Sequence, residues 1–197
     1  MTPRAHAALR AFGRREDEVP SVEAIDVLPA LIWALVAIHV FWNVFRAGTE
    51  AQRATYTVAD LVSRGTTPDQ AHLVGMRAML DRLMEGGRGS GAQHHGPASL
   101  RVPVVRNPTD AEESDEDPLW LEWSHGAGPD LAPLADLASV RRHIPPLAEG
   151  DRVVVLETLV PWAPMASVGV PAADLSNVAV TRPRFGGRVC WESCDPS

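Results

Sequence analysis

The longest apolar pattern in the chain runs from Val27 to Phe45, nineteen residues without a formal charge, closed by Arg46 and Gly48. At about 1.5 Å per residue, a helix of that length nearly matches the roughly 30 Å hydrocarbon thickness of a bilayer. Pro29 falls in its first turns, where a missing N–H disturbs a helix least. Ser21 suits the preceding N-cap, with Glu23 and Asp26 near the positive helix end. Two readings compete for residues 27–45. Length and the tryptophans Trp33 and Trp42 favour a membrane span. His39 and Asn43, at i and i+4 on one face with Arg46, favour a helix buried in a soluble core or an oligomer. The buried helix is the preferred reading, so the expected localisation is cytoplasmic, with membrane association as the alternative. Arginines flank the segment on both sides (Arg4, Arg10, Arg14 and Arg15 before; Arg46, Arg53 and Arg64 after) and do not choose an orientation.

Helical periodicity continues through Ala51, Ala54, Val58, Leu61 and Val62, and Gly65 is placed to stop it. Thr67-Pro68-Asp69-Gln70 reads as a capping box, with Thr67 at N-cap and Pro68 in the first helical position. The helix it opens carries Ala71, Val74, Ala78, Leu80, Leu83 and Met84 on its apolar side and ends before Gly86-Gly87. Two helices and a tight turn are also the outline of a helix-turn-helix, whose second helix would present Gln70, His72, Arg77 and Arg82 to DNA. Asp69, Asp81 and Glu85 share that helix and weigh against DNA reading.

Beyond residue 98 the period shortens to two. Leu100–Val105 reads as extended, with Pro103 arguing for a sheet edge. Leu119–Ser124 alternates as a strand, Leu131–His143 reads as a helix, and Arg152–Val160 is the strongest strand. Weaker strands are expected at 168–170, 178–181 and 188–192, the last two joined by a hairpin at Gly186-Gly187. Twelve prolines after residue 98 suggest short strands bounded by rigid loops. The expected fold is α+β: an N-terminal helical module followed by a small β-rich module with short, Pro-bounded strands. The expected organisation is a flexible N-terminus (1–19), a helical module (20–86) holding the apolar helix 27–45, a Gly-rich linker (87–98) and a β-rich module (99–193).

Composition removes whole classes of chemistry. All 18 basic residues are arginine. A Walker A phosphate loop, a protein kinase and a pyridoxal enzyme each require a lysine. Arginine stays protonated and cannot replace lysine as nucleophile or base. The net charge is −7, and residues 99–197 carry the whole excess, with fifteen acids against eight arginines. Six of those acids form one run, Asp110, Glu112, Glu113, Asp115, Glu116 and Asp117. This balance argues against nucleic acid as a partner. Cys190 and Cys194 are too sparse for a structural zinc site and do not form a C-x-x-C redox motif; four apart they could pair, although such cysteines are usually free, and the sequence does not settle their redox state. No cofactor or metal is expected.

For catalysis the candidates are His125, His143 and Asp130, with Ser124 beside His125, as a hydrolytic or metal-dependent centre; the sequence has no G-x-S-x-G elbow. For binding they are Trp120, Trp123 and Trp162, with Arg182, Arg184 and Phe185 in the one basic cluster of this half, which Arg188 completes. Tryptophan and arginine dominate recognition hot spots, although buried tryptophans also anchor small cores. The preferred function is therefore non-catalytic: an interaction protein that meets a protein partner, with helix 27–45 as a membrane anchor or a homo-oligomer core. The alternatives are an enzyme built on His125 and His143, and a DNA-binding regulator.

Overall fold

The structure is a computed structural model that describes residues 19–86, 93–94, 96–109, 119–185 and 187–194. The N-terminal segment, most of the Gly-rich linker and the acidic run lie outside the described residues.

The fold is α+β. Helix α1 (Val19–Arg64) and helix α2 (Gln70–Gly86) precede an antiparallel sheet of β1 (Gln93–His94), β2 (Ser99–Arg106), β3 (Trp120–Ala127), β4 (Arg152–Ala163) and β5 (Ala173–Thr181). The two-residue β1 touches only the end of β4, so the body of the sheet runs β3-β2-β4-β5. Its strands are eight to twelve residues long, not the short pieces that the prolines suggested.

The apolar segment and the following periodic segment are one 46-residue helix, which continues through Pro29 and Gly48. Pro29 lies far from the packed half, and Gly48 is helical like its neighbours. Along the second half a stripe of small and β-branched residues faces inward at helical spacing: Ala47, Ala51, Ala54, Val58 and Val62, all almost fully buried. Alanines at these positions let the helix backbone lie close on β4 and β5. From Ala51 onward the stripe shares one cluster with Leu73 and Leu80 of α2 and with Leu100, Val102, Val104, Val154 and Leu156 of the sheet, while Ala47 packs with Trp162. Helices and strands thus share one core across the linker. A second cluster, Val105, Val140, Ile144, Val153 and Val155, covers the other face of the sheet.

Several local expectations change. Asp69, not Thr67, caps α2: its Oδ1 accepts from the His72 N–H at 2.7 Å, and its carbonyl accepts the first helical bond from Leu73. Pro103 lies in β2, flanked by β3 and β4, and not at an edge. The β2–β4 ladder keeps its register but skips Val102 and Pro103, as a residue without an N–H requires. Residues 131–143 form an irregular loop ending in a single 3-10 turn at Arg141–His143, because Pro133 and the Leu134 N–H donated to Ser124 Oγ hold the chain in other geometry. Residues 168–170 and 188–192 are not strands. The latter segment crosses back to the α1–α2 turn, where Cys190 N–H donates to Thr66 O and Glu192 N–H to Pro68 O. Cys190 and Cys194 are joined in a disulfide rather than free.

Candidate functional site

The catalytic candidates are dispersed among other duties. Ser124 Oγ accepts from the Leu134 N–H at 2.9 Å. Asp130 bonds to Ser99, accepting from its hydroxyl at 3.3 Å while its own N–H donates back at 3.1 Å. His143 is exposed on the 3-10 turn. His125 stacks flat on Trp191, with ring centroids 3.5 Å apart and 8° between planes. Burial lowers its pKa below the usual 6.5, and the nearby Glu192 carboxylate works in the opposite direction. No hydrogen bond joins His125 to Ser124, Asp130 or His143, and among the described residues no group of three His, Cys, Asp or Glu side chains is placed to hold a metal.

The tryptophans divide by burial. Trp162 is a core residue, packed with Val40 and Ala47 of α1, and its indole N–H has no hydrogen-bond partner. Trp123 is half-buried, donates its indole N–H to Val189 O at 2.8 Å and packs beside Trp191. Trp120, at the start of the edge strand β3, is 53% exposed. The basic cluster read at 182–188 comes apart on three different acids: Arg182 pairs with Asp151, Arg184 with Asp60 and Arg188 with Glu122. Phe185, between them, is exposed.

Beside Trp120 the sheet assembles a second set of side chains. Arg106 is the cross-strand partner of Trp120 on one side and of Arg152 on the other. The guanidinium of Arg106 lies over the Trp120 ring, 5.3 Å from its centroid. A bulge opposite Val104 and Val105 makes Glu122 the extra residue of β3 and turns its side chain toward this end of the sheet. Glu122 Oε2 accepts from Arg152 Nε at 3.1 Å and Oε1 from Arg188 Nε at 3.0 Å. Arg106, Trp120, Leu121, Glu122, Arg152 and Arg188 line an open cleft of about 310 Å³. Of these, Arg106, Arg152 and Glu122 were not legible as a group in the sequence. They lie on three strands, and only the antiparallel register brings them level.

The apolar segment forms the other conspicuous surface. In α1, eleven large apolar side chains between Ile25 and Phe45 are more than half exposed, Leu35, Ile38 and Phe45 the most. An 18-residue window of this helix has a mean hydropathy of 2.0, and only 17% of it is buried. Residues 27–45 are therefore not a core helix within this chain, which leaves the oligomer core and the membrane span as the readings of that surface. His39 and Asn43 are also separated: His39 is exposed and Asn43 is 3% exposed, because the edge of the packed stripe passes between them. No protein-family model, no curated protein and no solved structure matches the chain.

Proposed function

We propose that this chain is a non-catalytic interaction protein held at a membrane by the first half of α1, with the sheet module presenting a partner-binding face. The observation that carries the reading is the exposure of one helix's two halves. A core helix of a soluble protein keeps its apolar side chains inside, whereas eleven large ones here have nothing over them. Trp42 and Phe45 share a hollow with Arg46 and Arg53, the mixture of aromatic rings and guanidiniums that favours a bilayer interface. The loop between β4 and β5 suits that surface as well. Residues 158–173 carry no charge, and Ala166, Val168 and Val170 pack, with Val36 and Val44 of the helix, against the cluster of Val40, Ala47 and Trp162.

The disulfide supports an orientation that the flanking arginines leave open. Disulfides persist on the oxidising side of a membrane, so the module is assigned to that side. The scattering of His125, Asp130 and His143 over separate partners favours binding over catalysis.

The test is membrane fractionation with an alkaline carbonate wash on the full chain and on a Leu31→Arg/Leu35→Arg variant. Both residues are exposed and project from the module, so folding is expected to survive. The full chain stays in the pellet and the variant is released. A full chain released by the wash as a defined oligomer overturns the anchor and assigns the apolar face to self-association.

A further inference from the structure

We infer that the Arg106–Trp120 cleft is a binding site for carboxylates, and that its occupant is an acidic segment of a partner protein. This inference rests on the anchored-module reading above and adds the chemistry of the partner.

The charge balance comes first. Three guanidiniums face one carboxylate, and both oxygens of Glu122 are taken by Arg152 and Arg188. Among the described residues Arg106 pairs with no carboxylate; its guanidinium lies over the face of Trp120. It also sits directly opposite Arg152, a like-charged cross-strand pair that costs stability unless an anion lies between. The chain as a whole is acidic, at −7, so a local excess of cations at one end of the sheet is not a by-product of composition. Guanidinium forks match carboxylates in two-point geometry, and the aromatic face under Arg106 holds its fork in place without consuming a donor.

Position selects the source of the carboxylates. Helix and strand run antiparallel: Trp162 packs on Val40 and Ala47, Thr158 bonds to Thr55, and Arg184, which follows β5, pairs with Asp60. Arg152 therefore lies ten residues from Trp162, about 33 Å along the strand at the usual extended rise, at the end farthest from the apolar half of α1. Lipid headgroups of the anchoring membrane are out of reach. The lining is too polar for an uncharged apolar ligand, and its unspent guanidinium charge fits an acidic segment of a partner; the chain's own acids at 110–117, which in sequence lie between Arg106 and Trp120, are the competing occupant that the test separates.

The experiment uses the full chain in a nonionic detergent, titrated with a short polyglutamate peptide, with inorganic phosphate, and with a polyserine peptide as control. Polyglutamate is expected to bind at low salt and to be released at high salt. Arg106→Ala is expected to weaken binding about tenfold or more, the worth of one charge-assisted contact. Because Arg106 makes no ion pair among the described residues and faces the like charge of Arg152, thermal unfolding of that variant is expected not to fall below the wild-type temperature. Trp120→Ala lowers affinity in the same direction. Equal binding by wild type and Arg106→Ala overturns the site. Phosphate binding as tightly as the peptide overturns the protein-segment assignment in favour of a small-anion site. Binding that appears only after the acids at 110–117 are changed to amides or serine overturns a partner as occupant, because the chain's own acidic run then fills the cleft. No binding by either form overturns the inference. Failure of the anchor reading is seen separately, since the titration does not depend on membrane retention and the carbonate wash does not depend on Arg106.

Discussion

The two halves of α1 have nearly the same secondary structure and opposite environments. Residues 25–45 carry eleven large apolar side chains that are more than half exposed, beside a covered strip of Ala37, Val40 and Asn43; residues 47–64 carry small and β-branched side chains on one stripe, and that stripe is sealed by the sheet and α2. The lesson concerns how an apolar pattern is read. High mean hydropathy marks the half that its own protein does not cover, while the less hydrophobic, more periodic half is the one that builds the core. A stripe of alanine and valine buries well because it permits close approach. A surface of Leu, Ile, Phe and Trp that extends well beyond the one packed strip of its helix needs a solvent or partner that is itself apolar.

Matched substitutions break this comparison most sharply. Val58 is fully buried, and Val58→Asp places an unpaired carboxylate in the core, at a cost of more than about 4 kcal/mol. The protein is expected to be degraded or recovered unfolded, as judged by circular dichroism. Leu31→Asp, in the exposed half, is expected to leave the same spectrum unchanged and to reduce only membrane retention. If the two variants behave alike, the division of the helix is wrong.

The next effect lies under the packed half. Arg101 and Glu157 are cross-strand partners, both largely buried, and Arg101 also donates to Ala132 O. Glu157→Ala strands the guanidinium and is expected to destabilise by roughly 3 kcal/mol in a urea titration. Replacing both residues with apolar ones is expected to recover most of that loss, since the penalty belongs to the orphaned charge.

A smaller effect tests the seam between helix and sheet. Thr55 and Thr158 share a buried hydroxyl–hydroxyl bond of 2.6 Å; Thr55 donates its own proton to Ala51 O and so accepts from the Thr158 hydroxyl. Thr158→Val removes one partner while keeping the shape, and about 1 kcal/mol of stability is expected to be lost. The exposed Thr57, whose hydroxyl meets only its own helix, is expected to tolerate Val with a change too small to measure.

The smallest effect is on pH. The pKa of His125 is depressed in the folded chain, so between its folded value and 6.5 the unfolded chain binds the proton more readily. Its contribution to stability is complete above about 6.5 and shrinks as pH falls toward the folded value. The unfolding midpoint is expected to drop on acidification from neutrality, and His125→Phe is expected to flatten that part of the profile. A profile unchanged by the substitution removes His125 from the titration.

Much of the chain was legible without coordinates. The helical first third, the second helix at 70–86, the strong strand from Arg152 and the extended character of Leu100–Val105 all follow from periodicity, because the side chains of these elements alternate between core and solvent at the spacing of the backbone. The site was less legible. Trp120 stood out by residue type, but Trp162 has the same type and is buried, so type alone does not separate a recognition residue from a core one. Arg182 and Arg184 are neighbours in sequence and part to different acids, whereas Arg106, Glu122 and Arg152 are distant in sequence and meet. Residues 188–192 alternate like a strand, yet their backbone groups are taken by the α1–α2 turn.

By itself the sequence determined the two N-terminal helices and the strands around 100–105, 119–124 and 152–160, which chemistries a lysine-free chain excludes, and that one stretch is apolar enough to cross a membrane. Tertiary structure decided what those segments meet: which half of α1 is covered, which cysteine finds the other, and which arginines share a carboxylate. The physical reason is range. Periodicity and capping are set by residues within a few positions of one another, whereas burial and charge pairing depend on strand register and helix docking, which bring together positions tens of residues apart.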